Sequence, residues 1–444
     1  MKRNRILNAA VLALLAAVLA SPTPSFGWGS TWAGASIEQV YNSLAWRIGL
    51  LRVSGALRFD NVGYDSNIYY GATANAVSDF TLRVGPAVRA LLPVTQNIIL
   101  DLSEFPQYAF YAKTKQERSW DNTFLGQAHI VFEKFYVRLG QGLSDTKNLL
   151  STELSINVRN RTDAPSAFIL WQLTAGTSVS LGYTKYRLRY VNPEVGGANV
   201  RQNLNRTENY GNLTLYLQQT SRARFFLEGE YGVVNFAEEV SQPKNTRTYT
   251  VYGGIDFLPA PPEMDQTLKA GQIQGRLNIG YKKFDIVDPT KKDFAGLVGD
   301  TGVAVNVIGL TALQGVFIRD VRYSAFSDYT YYLETTYGAG LASPLTSRIV
   351  VRYDFFIGRN DYPLPPIAEG LPEVKRIDRF TRHAFRANIR LRPNLTFSLF
   401  GSIGKRKSNL GLPSDRSFFG FNLIYGYEVE ETPLVSTVTP RDYL

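Results

Sequence analysis

The chain contains no cysteine. That excludes a disulfide scaffold, a thiolate nucleophile, a Cys-ligated zinc and anchorage through a lipidated cysteine. Histidine is almost missing as well. His129 and His383 are the only two in 444 residues, so a His-rich metal site is excluded and no cofactor or metal is expected. Charge is thin, at 19% of residues, where an average soluble protein has about 25%. Beyond residue 20 no apolar run reaches the roughly 20 residues that a helix needs to span a bilayer. No linker divides the chain, although a soluble protein of this length usually splits into several domains.

What is present points elsewhere. Aromatics make up 13% of the residues, and Gly, Tyr and Phe number 37, 26 and 26. Lys2, Arg3 and Arg5 precede an apolar run, Ile6 to Ala20, broken only by Asn8. Val18-Leu19-Ala20 supplies a small-residue cleavage pattern, and Ser25-Phe26-Gly27 a second. This predicts a signal peptide over residues 1–20, with cleavage as late as 27 as the alternative, rather than a retained anchor.

From residue 51 to residue 427 apolar and polar residues alternate with period two, the signature of strands with one apolar face. Leu51, Val53, Gly55, Leu57 and Phe59 alternate with Arg52, Ser54, Ala56, Arg58 and Asp60. Phe225, Leu227, Gly229 and Tyr231 alternate with Arg224, Glu228 and Glu230. Short connections, as at Pro93–Asn97, Glu133–Lys134 and Thr174–Thr177, alternate with long polar ones, as at Gly63–Ser78, Ser144–Arg161 and Asp361–Arg376. Long external loops and short periplasmic turns belong to outer-membrane barrels. The expected fold is all-β: a transmembrane antiparallel up-and-down β-barrel over 51–427. It should have about eighteen strands, with sixteen the alternative, and both termini on the periplasmic side. Closure would remove the edges that so many strands otherwise expose. Aromatic clusters at strand ends, Tyr64, Tyr69 and Tyr70; Tyr108, Phe110 and Tyr111; Tyr323 and Phe326; and Tyr329, Tyr331 and Tyr332, predict interfacial girdles. In the lead-in at 28–50, Ile37, Tyr41, Leu44 and Ile48 have helical spacing, so a short helix in the lumen or at the periplasmic mouth stands against an unstructured segment. Phe419, Phe421, Leu423, Tyr425 and Tyr427 fit a final strand, which leaves a tail at 428–444 in the periplasm or folded back into the pore.

Residues 59–69, Phe-Asp-Asn-Val-Gly-Tyr-Asp-Ser-Asn-Ile-Tyr, are followed by Ser78-Asp79-Phe80 and Val84-Gly85-Pro86. This stretch resembles the opening strands of a family of outer-membrane β-barrel porins, in which a Tyr-Asp-x-Asn-Ile/Leu-Tyr/Phe loop follows strand one. Members of that family are commonly encoded beside surface-polysaccharide (exopolysaccharide) synthesis and export genes. The resemblance therefore implies a surface-polymer role and polysaccharide export components as partners, and it supplies no catalytic residues. The motif covers under a tenth of the chain; the strand rhythm extends the resemblance over most of it.

Charged residues on the polar face should point into the lumen, because Arg or Lys on the lipid face near the bilayer midplane costs about 2–4 kcal/mol. The candidates are Arg83, Arg89, Arg138, Arg276, Arg386 and Arg390, with the acids Asp101, Glu228, Glu230 and Asp256. They read either as a path for anionic solutes or as Arg–carboxylate pairs that fill and stiffen the lumen. Neither histidine lies in a Gly-x-Ser-x-Gly context, so no enzyme activity is expected, an outer-membrane hydrolase being the remote alternative. The Gly pairs at 196–197 and 253–254 lack the Lys-Ser/Thr of a phosphate loop. Expected partners are outer-membrane lipid, lipopolysaccharide and the barrel-assembly machinery. Nucleic acid is not expected, despite a net charge of +10, because the basic residues are dispersed. Two functions remain open: a porin-like channel for polar or anionic solutes, polysaccharide among them, and a plugged structural or interaction barrel.

Overall fold

The computed structural model describes residues 32–149, 153, 157–191, 199–218, 220, 222–257, 273–308, 311–363, 375–411 and 413–427. The expected signal peptide at 1–20 and tail at 428–444 lie outside the described residues. The strands are β1 (Trp46–Ile48), β2 (Leu51–Asp65), β3 (Asp79–Pro93), β4 (Ile98–Glu104), β5 (Gln107–Tyr111), β6 (Ser119–Val131), β7 (Phe135–Leu149), β8 (Asn157–Thr174), β9 (Thr177–Tyr190) and β10 (Arg206–Gln218). They continue with β11 (Ala223–Phe236), β12 (Thr246–Phe257), β13 (Ile273–Ile286), β14 (Phe294–Ile308), β15 (Thr311–Tyr323), β16 (Tyr331–Thr346), β17 (Ile349–Asp361), β18 (Ile377–Arg392), β19 (Leu395–Ser408) and β20 (Ser414–Gly426). Two helices accompany them, α1 (Trp32–Ser43) and α2 (Val200–Leu204).

Each strand pairs antiparallel with its neighbour in sequence, and β20 returns to pair with β2. β4 and β5 share the partners β3 and β6, so they are one wall strand interrupted at Phe105-Pro106, where proline has no N–H for the ladder. β1 pairs with β2 alone. The wall is therefore a closed barrel of 18 strands. At the seam Leu57 faces Tyr425 and Gly63 faces Gly420. A Cβ on Gly63 would lie 2.2 Å from the Phe419 carbonyl oxygen, so the seam needs glycine there. One strand bulges beside it at Asn61, which has φ of 52° and whose N–H donates to Asn422 Oδ1 at 2.8 Å.

The outward face is apolar. Leu57, Leu139, Leu181, Leu213, Leu227, Val251, Ile279, Leu297 and Ile357 are all exposed on it. A ring of exposed aliphatic side chains around a closed barrel is stable only against hydrocarbon, so this is a transmembrane β-barrel of the outer-membrane kind. Near the short-turn end Phe135 stacks on Trp171 and Trp46 meets Tyr427 edge-on, forming an aromatic girdle. The girdle expectation fails elsewhere. Tyr64 does face outward, half-exposed, but Tyr111, Tyr329, Tyr331 and Tyr332 are buried. The buried ones lie at strand ends or in the adjoining loop with their rings turned inward, where Tyr329 and Tyr332 both pack on Tyr362 and Tyr331 on Phe284. The strands of the β7–β8 hairpin also run further than expected, to Leu149 and from Asn157, because Arg159 and Arg161 both pair with Asp145 across the hairpin.

The lead-in helix exists and lies inside the barrel. Ala33, Ile37, Tyr41 and Leu44 are buried, four and three residues apart along one stripe. They pack against inward-facing Leu91, Ile99, Val131, Tyr136, Leu170, Tyr216 and Phe226. These berth residues sit beside the short turns of β3–β4, β6–β7, β8–β9 and β10–β11, so α1 occupies the periplasmic end of the lumen against half of the wall. Tyr41 Oη donates to the Leu50 carbonyl at 2.9 Å, and the Ala45 N–H donates to Ser54 Oγ at 2.9 Å. Ile48 leaves the stripe: it ends β1 and is exposed, because the chain turns at Gly49 (φ 61°) to enter β2.

Ile37→Asp places a carboxylate in this apolar berth and should undock α1 without opening the wall. Hydrogen exchange should then lose protection over residues 33–43 while strand amides keep theirs. Loss of strand protection as well would show that the helix holds the barrel together.

Candidate functional site

The lumen is the one internal surface that all the candidate charges can reach, and they divide into two populations. On the wall from β3 to β13 most of them are paired, Arg138 and Glu230 being the exceptions. Arg89 grips Asp101 with Nε and Nη2 at 3.0 and 2.7 Å. His129 Nε2 lies 3.6 Å from the same carboxylate, and its Nδ1 shares a hydrogen bond of 2.6 Å with Tyr136 Oη. Arg83 meets Asp121 at 3.2 Å and donates to Asn148 Oδ1 at 2.6 Å. Arg276 lies 3.5 Å from Asp256 and 3.9 Å from Glu228, with its guanidinium 4.0 Å from the centre of the Phe226 ring. Glu228 also accepts from Thr214 Oγ1 at 2.9 Å. Arg138 rests over Phe168 at 5.3 Å. Glu230 faces the same wall without an ion pair among the described residues. Arg224, which the alternation placed on the polar face without its being taken as a candidate, pairs with Asp256 at 2.7 Å; Arg206, Lys282 and Arg322, which the sequence did not single out, pair with Glu208, Asp320 and Glu334 at 2.6, 2.6 and 3.1 Å.

On β18 the pattern changes. Arg386 and Arg390 point inward, are exposed, and have no ion-pair partner among the described residues. No other described residue covers them. One turn of the ladder higher, Arg382 also faces in, and its Nη1 is buried without a hydrogen bond. Arg352 of β17 stands directly across from Arg386, held by Asp354 at 2.7 Å and Gln314 at 2.6 Å. The spacing 382, 386, 390 was visible in the sequence as an i, i+4, i+8 row on one strand face. His383 lies on the opposite, outward face, where Tyr353 Oη meets its Nδ1 at 2.7 Å, so it cannot serve lumenal chemistry.

The long-loop end is roofed by a segment, 324–330, whose aromatics Phe326 and Tyr329 the sequence assigned to a girdle and not to the lumen. Pairing of β14 with β15 starts only at Gly299↔Arg319, whereas β15 and β16 stay paired to Tyr323↔Tyr331. The freed hairpin tip carries residues 324–330 over the lumen to loops from the other side. Ser324 Oγ and the Ala325 N–H donate to Glu153 at 2.5 and 2.7 Å. Asn203 Nδ2 donates to the Ala325 carbonyl at 2.9 Å. Lys244 Nζ donates to the carbonyls of Ser324 and Phe326 at 3.3 and 3.1 Å. Burial raises the Glu153 carboxyl above its ordinary value and pulls the Lys244 ammonium down to about 8.

Beyond outward-facing Tyr64, the Tyr-Asp-Ser-Asn motif builds a second inward loop in which Asp65 and Asn67 are buried. Asp65 binds Arg416 at 2.6 Å and accepts from the Asn67 N–H at 3.0 Å. Asn67 Nδ2 donates to the carbonyls of Gly71 and Asp415, both at 2.9 Å. Asp79 accepts from the N–H groups of Phe80, Lys113 and Thr114 at 2.7 to 3.1 Å and from Thr114 Oγ1 at 2.5 Å. The motif is a loop clamp.

Two outcomes test these placements. Arg89→Ala leaves buried Asp101 with only His129, and removing one partner of a buried pair costs about 3–5 kcal/mol, read as a lower urea midpoint in detergent. For Lys244 the charged form is the costly one in the folded loop. The roof should therefore gain stability as pH rises from about 8 to the free-lysine value of 10.5, and gain none from this group below 8. Exchange protection over 324–330, corrected for intrinsic rates, checks the direction.

No protein-family model matches this chain, and no curated relative does. Solved structures share the barrel at low identity. Pseudomonas aeruginosa OpdL is 10% identical with a TM-score of 0.48, over 85% of this chain and 99% of that one. Acinetobacter baumannii OccAB3 is 9% identical with a TM-score of 0.47, over 84% and 99%. A BenF-like porin from Pseudomonas fluorescens Pf-5 is 10% identical with a TM-score of 0.46, over 85% and 99%. This chain is similar to these outer-membrane porins.

Proposed function

We propose that this barrel is a porin-like channel for small polar solutes that carry negative charge, short acidic saccharides being the class that fits best. The observation that carries the reading is the free arginine row. Among the described residues Arg386 and Arg390 face the lumen, are exposed and have no carboxylate partner, while Arg89, Arg224, Lys282 and Arg322 elsewhere on the wall are each paired with one and Arg138 rests on the Phe168 ring. A fixed unpaired cation in a narrow aqueous path favours anions. α1 narrows the periplasmic end on the side away from β18, so the remaining path runs past the arginines. A saccharide also presents hydroxyls to the Asp, Asn and Thr groups of the wall. α1 and its apolar berth take up part of the periplasmic end, which favours a short solute over a bulky polymer.

A plugged barrel is the second reading, favoured by the inward helix and the loop roof together. Planar-bilayer recording separates the two. A channel should show conductance steps with a reversal potential on the anion side in a KCl gradient. Arg386→Gln with Arg390→Gln should lower the anion preference about twofold or more, and acidic oligosaccharides should interrupt the wild-type current more often than neutral ones. A silent barrel that inserts correctly would end the channel reading. A channel indifferent to both substitutions would end the arginine assignment.

A further inference from the structure

The outward face is apolar through its middle, but near the long-loop end of β17, β18 and β19 it carries a block of cations. Arg359 faces Arg379 across one strand pair, and Arg379 faces Lys407 across the next. Three like charges thus stand in one row, each directly opposite the next. Opposed like charges on neighbouring strands are destabilising, so the row costs the free barrel stability. Lys405 lies two residues below Lys407 on the same face. All four side chains are exposed.

Counter-ions are scarce. Asp361 takes Arg359 at 2.8 Å and Lys375 at 3.6 Å. Among the described residues Arg379, Lys405 and Lys407 have no ion-pair partner, although Asp415 stands opposite Lys405 in the ladder. The far side of the barrel shows the alternative arrangement. There Arg159, Arg161 and Arg187 also face outward, but Asp145 and Asp163 neutralise them at 2.6, 3.0 and 2.7 Å.

Height decides what meets the row. Arg379 and Lys407 stand twelve residues from Leu391 and Leu395 at the short-turn end of their strands. At about 3.3 Å per residue and a tilt near 40°, that places them roughly 30 Å up, just above an apolar band about 25 Å tall. Exposed Ile357, Phe385 and Ile403 lie beneath them on the lipid side. A lipid anchored there offers its headgroup at the level of the row and its acyl chains to the apolar face.

We propose that Arg359, Arg379, Lys405 and Lys407 form a binding site on the outer wall for the phosphorylated sugar headgroup of an outer-leaflet glycolipid. Guanidinium forks grip phosphate oxygens bidentately, and the lysines add point charges. A phosphomonoester, with close to two charges, matches three unpaired cations better than a phosphodiester with one. The proposal rests on the outer-membrane reading of the barrel. Folding of the wild type in detergent, seen as faster migration of the unheated band on a gel, checks that reading separately.

The test is native mass spectrometry of the full chain in a non-ionic detergent. The probes are bisphosphorylated lipid A, the same lipid without phosphates, and phosphatidylglycerol. Wild type should retain the bisphosphorylated lipid at least about tenfold better than either comparison lipid, and R379Q/K407Q should lose about that factor. K283Q, which removes an outward lysine paired with Asp285 at 2.7 Å, should bind as wild type does. Thermal stability supplies a second readout. Without the glycolipid R379Q/K407Q should melt no lower than wild type, since repulsion is relieved; with it, only wild type should gain. Equal binding by wild type and R379Q/K407Q overturns the proposal, as does equal retention of the dephosphorylated lipid or of phosphatidylglycerol. A lower melting point of the lipid-free variant would also overturn it, by making the row structural.

Discussion

In hydrocarbon no water is available to pair a backbone N–H or C=O, and each unpaired group costs several kcal/mol. The seam between β2 and β20 is where this chain meets that demand. Every other wall strand pairs with a neighbour in sequence, but these two must find each other across more than 350 residues, as Asp65↔Phe418 and Leu57↔Tyr425 do. Gly63 and Gly420 allow the backbones to approach, and Asn422 covers the N–H that the bulge at Asn61 frees. Asp65 with Arg416, and Asn67 with the Asp415 carbonyl, tie the same two strands just above. The motif that marks this chain in sequence is thus part of the closure.

Closure turns one face of every strand toward lipid and the other inward, and the inward face must then manage its own charge. Over most of the wall it does so by pairing cations with carboxylates on the same strand or one or two strands away. Such pairs leave little net field. The field of the lumen comes from where pairing stops, beside β18, and this is also where α1 leaves the wall uncovered. The apolar berth and the unpaired arginines therefore lie on different sides of one lumen, and a solute that enters is left with the charged side.

Both ends are narrowed by different means. At the periplasmic end a helix docks through apolar contacts, which are non-directional and tolerate sliding. At the other end the roof is held by buried polar contacts to Glu153, Asn203 and Lys244, which specify one arrangement and are sensitive to loss of any member. Neither α1 nor the roof supplies a strand of the wall, so the ladder hydrogen bonds that close the barrel do not run through them.

Period-two alternation, turn spacing and the absence of long apolar runs were enough to read a closed membrane barrel, because a strand that separates lipid from water must write that separation into its side chains. The helical stripe at Ile37, Tyr41 and Leu44 was legible for the same reason, since burial on one side needs an apolar stripe; Ile48 misled because spacing cannot locate the turn at Gly49. Which inward charges are paired was not legible. Arg89 and Arg386 occupy equivalent positions on their strands, yet Asp101 neutralises one and nothing printed on the sequence says that the other is free. Pairing depends on the strand register and on which neighbours lie within 4 Å, and both are set only when the sheet closes. The roof at 324–330 was decided the same way, by a hairpin tip that leaves its neighbour and finds loops far away in the chain. The sequence alone determined which face of each strand meets lipid; the tertiary structure decided which lumenal charges remain for a solute, because charge balance is a property of neighbours in space.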